Sequence, residues 1–150
     1  MARFFPLIGF LILVVGGGLL IGATNLPGDW YANLAKPSFN PPNWIFGPVW
    51  TVLYVFIAVA GWRAWQQDPQ GPATFLWMVQ LLLNFAWSPI FFSFHQIGLA
   101  LVVILCLLGT VIAFTVRQWP RDRTAALLFV PYAAWVAFAS VLNAAILILN

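Results

Sequence analysis

The sequence predicts an all-α membrane protein: a bundle of five transmembrane helices with a Pro/Trp-rich loop between the first and the second. Three observations carry this. Of 150 residues, 63% are apolar and only 6% are charged. A soluble domain carries about 25% charged residues, so this chain lacks the polar groups to cover a water-facing surface. The apolar residues gather into five runs, Phe4–Ala23, Ile45–Trp62, Ala73–Phe94, Ile97–Val116 and Ala125–Leu149. Finally, Trp30 to Tyr54 concentrates three Trp and four Pro around the start of the second run.

A helix rises about 1.5 Å per residue, so each run can cross a hydrocarbon core of about 30 Å. The first run, preceded by Arg3, exceeds the roughly 7–15 apolar residues of a signal peptide and reads as a retained span. Trp30 to Asn43 reads as a shaped loop, because Pro37, Pro41 and Pro42 withhold backbone donors and disfavour helix before them. Pro48 falls in the opening turn of the second span, where proline is tolerated. Gln66 to Pro72 (QQDPQGP) is a tight polar link to the third span. Ala73 to Val116 is about twice a spanning length, and His95-Gln96 followed by Gly98 marks the turn that divides it. Arg117 to Thr124 (RQWPRDRT) joins the fourth span to the fifth. With no long linker and no repeat, residues 1–150 read as one domain. The odd helix count argues against the paired halves of many transporters.

The net charge of +3 rests on too few residues to imply a nucleic-acid partner, but its distribution is informative. Arg3, Arg63, Arg117, Arg121 and Arg123 fall on one side of the membrane and Lys36 on the other. This predicts a multi-pass protein of a bacterial-type inner membrane, with the N-terminus cytoplasmic and the Trp-rich loop and C-terminus opposite. Cys106 is the lone cysteine, so no disulfide framework is expected. Asp29, Asp68 and Asp122 all lie in loops or at segment ends. Intramembrane acids mark proton and ion paths, and their absence argues against a proton-coupled pump. Residues for a carboxylate pair, a metal cluster or a Ser/His/Asp triad do not occur together, so no metal or required cofactor is expected. His95 reads as an interfacial polar residue rather than a haem ligand.

Polar and aromatic residues within the spans form patterns. Gln80, Asn84, Trp87, Ser88 and Phe91 recur at three- and four-residue steps on one helical face. Trp135, Ala139 and Asn143 do the same in the fifth span, a turn after Pro131, and Trp50 and Tyr54 share a face in the second. Asn84 and Asn143 admit two readings, interhelical glue or ligand contacts. By residue count, Trp50, Trp87, Phe91 and Asn143 lie in the half of the bilayer next to the first loop, with Asn84 and Trp135 nearer its middle. Such convergence predicts an apolar pocket between helices, opening toward that loop and suited to a flat small molecule. Trp62, Trp65, Trp77 and Trp119 are expected in interfacial belts. Gly18-x-x-x-Gly22 is a short contact motif that serves packing within the monomer or a dimer.

In order along the chain come Trp30-Tyr31, Lys36-Pro37, Asn40-Pro41-Pro42-x-Trp44, Phe46 and Trp50-Thr51-x-x-Tyr54. Gln80-x-x-x-Asn84-x-x-Trp87-x-Pro89-x-Phe91-Phe92 follows, then Pro131-Tyr132-x-x-Trp135 and Leu142-Asn143. In these residues essentially the whole chain resembles the TspO/translocator protein family, also called tryptophan-rich sensory proteins or peripheral-type benzodiazepine receptors. The resemblance implies a five-helix bundle, commonly a homodimer, whose cavity under the first loop binds porphyrins, sterols and synthetic ligands. Matching positions imply that Tyr31, Trp50, Asn84, Trp87, Phe91, Trp135 and Ala139 line that cavity. With Trp30, Pro41, Phe46, Tyr54 and Asn143 they form the expected ligand-binding set. Lys36, the cation on that side, is expected to meet a propionate at the mouth.

Two departures from the family pattern stand out. The sterol-recognition pattern, a basic residue after Tyr, is missing from Ala144 to Asn150. Phe138 occupies a position where small residues are frequent, and is expected to narrow the cavity beside Ala139. The function implied is a membrane receptor or sensor for protoporphyrin-like tetrapyrroles, with porphyrin as ligand. The alternatives are a light-dependent porphyrin-degrading enzyme acting through Trp50 and Trp135, a transporter of such ligands, and a scaffold acting through a partner.

Overall fold

The computed structural model describes residues 4–150. Six helices account for the architecture: α1 (Phe5–Thr24), α2 (Gly28–Ala32), α3 (Asn43–Gln67), α4 (Pro72–Ser93), α5 (Ile97–Gln118) and α6 (Arg123–Leu149). All but α2 are long and apolar enough to cross a membrane. No strand occurs among the described residues. Hydrocarbon offers no partner for an exposed N–H or C=O, so an apolar run of this length satisfies its backbone internally as a helix. The spans run two to five residues beyond the apolar segments at some ends, as at Gln118 and Gln67, because polar residues there reach water while the helix continues.

Between α1 and α3 the chain is not loop throughout. Gly28 to Ala32 form a helical turn, closed where the Asn33 N–H donates to the Asp29 carbonyl at 3.0 Å. The prolines at 37, 41 and 42 lie too far downstream to prevent it. The rest of the stretch is irregular, as expected, until a 3₁₀ turn over Asn43–Ile45 opens α3. Pro89 lacks the N–H that continues an α-helix, and α4 widens into a π-turn over Pro89–Ser93. His95 then takes a left-handed conformation (φ 57°) that reverses the chain.

α6 packs along α5 and α3, α5 packs also on α4, and α1 lies against α3. The half of the bundle remote from the Trp-rich loop is solid. There Ile57, Trp77, Val111, Phe114 and Phe129 interlock without solvent access or nearly so. Trp77 is a correction to the belt assignment, being only 3% exposed, with its indole N–H donating to the Ile57 carbonyl at 2.9 Å. It fits because Gly61 on α3 leaves room for the ring. Trp62 is likewise buried and packs on Phe4 at 5.7 Å, whereas Trp65 and Trp119 are exposed at the span ends.

At this end Arg63 clasps Asp122 through two hydrogen bonds, Nε–Oδ2 at 2.8 Å and Nη2–Oδ1 at 3.0 Å. The same carboxylate accepts from the Ala125 N–H and caps α6. Arg63→Gln is expected to cost about 1–2 kcal/mol of stability. That is below the value for a fully buried pair, because the Arg63 side chain is 37% exposed and screened. Thermal unfolding in low and high salt checks this; a wild-type midpoint in the variant excludes a stabilising role. Arg3, counted above for topology, lies outside the described residues.

Candidate functional site

In the other half the helices surround a cavity of about 430 Å³ beneath the loop. That volume suits a small organic ligand, for which pockets of roughly 300–1,000 Å³ are usual. Each wall has a local cause. α3 contributes Phe46, Trp50 and Tyr54, at spacings of four on one face. α4 contributes Asn84, Trp87 and Phe91, and α6 contributes Trp135, Ala139 and Asn143 on the same principle. Tyr31 closes the top from α2.

The rings brace one another. Trp50 stacks on Tyr54 at 5.5 Å and meets Tyr132 edge-on at 6.3 Å. Trp87 stacks on Phe91 at 5.0 Å, and Phe46 meets Trp135 edge-on at 5.7 Å. Such geometry adds about 0.5–1.5 kcal/mol per pair beyond area burial and pre-shapes the hollow.

The two readings of the buried asparagines merge. Asn84 donates to the Tyr132 hydroxyl at 2.7 Å, and that hydroxyl donates to Gln80 Oε1 at 2.7 Å, linking α4 to α6. Asn143 accepts from the Trp87 indole at 3.0 Å and donates to the Ile97 carbonyl at 3.1 Å. Both are interhelical glue and both also face the cavity. The Trp135 ring lines the cavity, and its indole N–H is buried without a hydrogen-bond partner among the described residues.

Two members of the expected set lie elsewhere. Trp30 is off the cavity wall, stacked on His95 at 4.0 Å and edge-on to Phe91 at 5.8 Å, so it buttresses the wall from behind. Pro41 is also off the wall, within the irregular stretch that leads into α3. His95 is exposed and serves as the platform for Trp30. Lys36 does not reach the cavity. Its ammonium donates to the Ala32 and Leu34 carbonyls at 3.3 and 3.2 Å and sits 4.6 Å above the Tyr31 ring, tightening the lid. The lid is also tied to the chain end, where Asn150 donates to the Ala35 carbonyl at 2.9 Å and accepts from its N–H at 3.1 Å. Burial raises the Tyr31 phenol above its ordinary pKa, with an Asn40 hydrogen bond opposing this.

Phe138 does not narrow the cavity. Its ring turns outward against Phe39 and Trp135, and Ala139 faces inward. The α1 face of the site, Gly18, Gly22 and the following Asn25-Leu26-Pro27 turn, was not part of the expected set. The glycine motif was its signal. A Cβ on Gly18 would lie 2.4 Å from the Tyr54 ring, so the motif's first glycine seats a cavity-wall side chain within the monomer. The aliphatic floor, Ile104 and Leu107 of α5, has no distinguishing mark in a uniformly apolar run.

Fold and cavity together define a multi-pass helical membrane protein with an apolar, aromatic-walled pocket. Residues 10–149 match the TspO/MBR family, and the chain belongs to that family. It is 39% identical to the human "Translocator protein" over 150 residues, covering 92% of this chain and 86% of that protein. The "Tryptophan-rich protein TspO" of Archaeoglobus fulgidus is 44% identical over 125 residues, 81% of this chain and 80% of the relative. The "Tryptophan-rich sensory protein" of Cereibacter sphaeroides is 37% identical over 128 residues, 85% and 81% of the two chains.

Proposed function

We propose that this protein is a membrane receptor or sensor that binds a protoporphyrin-like tetrapyrrole in the cavity beneath the first loop. The observation that carries the reading is the wall itself: indole rings from three spans around an apolar hollow. A macrocycle offers flat faces for Trp50 and Trp135 to stack on. Protoporphyrin added to the purified protein is expected to quench Trp fluorescence saturably, and a tetrapyrrole absorbance band is expected to co-purify. Absence of both defeats the receptor reading.

Degradation of the bound ring is a second reading. Among the described residues no carboxylate or histidine lines the cavity, so no general acid or base is at hand, which leaves light-driven oxidation of the ring by dissolved oxygen, with the indoles as electron donors or as the groups modified. Turnover in the dark eliminates it. The reading also includes a homodimer and the inner-membrane orientation given by the arginines. α1 has only 11% of its apolar window buried, against 28–33% for the other spans, and so offers the broadest free apolar face to a second copy. Single cysteines at Ser38 and Gln70, both exposed in opposite loops, are expected to label from opposite sides of sealed vesicles. Labelling of both from one side refutes the orientation.

A further inference from the structure

The turn between α5 and α6 carries charge that the fold does not neutralise. Arg63 and Asp122 cancel one another through their paired hydrogen bonds. Arg117, Arg121 and Arg123 have no carboxylate partner among the described residues. Asp68, the other acid on this face, accepts from the Gln70 N–H within its own turn. Three uncompensated guanidinium groups therefore fall within seven residues. The backbone holds them close, because the N–H groups of Arg121 and Asp122 both donate to the Gln118 carbonyl, at 3.1 and 2.7 Å.

An aromatic ring marks the depth of this cluster. Trp119 is 42% exposed, and the Arg123 guanidinium lies 4.4 Å above its ring while Nε donates to the Trp119 carbonyl at 3.4 Å. Trp65, also exposed, sits at the matching end of α3. Exposed indoles at span ends settle at the headgroup level, which places the arginines in the plane of the lipid phosphates. The α6 N-terminus is already capped by Asp122, so the side chains supply the attraction.

We propose that the α5–α6 turn is a binding site for the headgroup of an anionic phospholipid, its phosphate taken by the forks of Arg121 and Arg123 and supported by Arg117. Guanidinium groups suit this role because they pair with phosphate through two parallel hydrogen bonds and are weakly hydrated. Their place at the ends of two spans favours a lipid phosphate over a soluble one.

The full chain in nanodiscs of phosphatidylcholine, with or without phosphatidylglycerol, tests this by native mass spectrometry of retained lipid. Wild type is expected to retain phosphatidylglycerol in preference to phosphatidylcholine. The Arg117→Gln/Arg121→Gln/Arg123→Gln variant should weaken that retention roughly a hundredfold, about fivefold per arginine. Replacement of all three by Lys should give an intermediate loss, since charge is kept and the fork is not. Lys36→Gln, at the other end of the bundle, should change nothing. Should the triple Gln variant fail to fold, Arg121→Gln alone carries the test with its fivefold loss. Undiminished retention in the Gln variants overturns the proposal, as does an equal loss in Lys36→Gln. Equal competition by inorganic phosphate at matched concentration also overturns it, assigning the cluster to a free anion.

Discussion

Replacing Trp50 and Trp135 together by Leu is expected to weaken protoporphyrin binding by roughly 30- to 150-fold, equivalent to about 2–3 kcal/mol. Each indole gives a flat face whose stacking exceeds simple area burial, and Leu returns only part of the apolar contact. Trp50 is braced by Tyr54 and Tyr132, so its removal costs some pre-shaping of the cavity as well. Fluorescence is unsuited to a variant lacking two reporter rings, so calorimetry or absorbance titration is the measurement. Wild-type affinity in the double variant would falsify stacking at this site. Comparing illuminated and dark samples of both proteins, at ligand concentrations that saturate each, separates binding from breakdown: weaker binding without bleaching leaves the receptor reading, and light-dependent bleaching that vanishes with the two indoles supports the chemical one.

Gly61→Ala is expected to produce the largest loss of stability from the smallest change of side chain, about 3 kcal/mol. The added methyl would lie 2.2 Å from Trp77 Cε2 and 2.5 Å from its Nε1. That ring cannot retreat. It is buried, meets Phe10 edge-on at 5.1 Å, and is held by its hydrogen bond to the Ile57 carbonyl. Overpacking of a tight core costs about 1–3 kcal/mol, and displacing the indole adds the loss of a buried hydrogen bond worth about 1 kcal/mol. Gly109→Ala is the control, since a Cβ there meets nothing within 4 Å and the helix gains the better propensity of Ala. Equal midpoints for the two variants in thermal unfolding contradict the account of the α3–α4 contact.

Much of the site was legible because helical periodicity is a local rule. Asn84, Trp87 and Phe91 must share a face wherever the helix goes, and so must Trp50 with Tyr54. Their depth in the bilayer follows from counting residues. Trp77 shows where such rules stop. Near a span end it reads as an anchor, yet a glycine sixteen residues earlier in sequence opens a slot for it on the facing helix. Trp30 and Lys36 show the same limit in the loop, where an aromatic or a cation reads as a ligand contact until His95 or the loop carbonyls occupy it.

By itself the sequence determined that five apolar runs become membrane-spanning helices, because hydrocarbon forces each to satisfy its own backbone. It also determined which side chains share a face, because 3.6 residues make a turn. Only the tertiary structure decided which of those faces meet, that half of the bundle is solid and half hollow, and that the first helix completes the cavity wall. Those outcomes depend on how closely two helices approach, set by single residues such as Gly18 and Gly61 together with the rings opposite them, partners that no local pattern pairs.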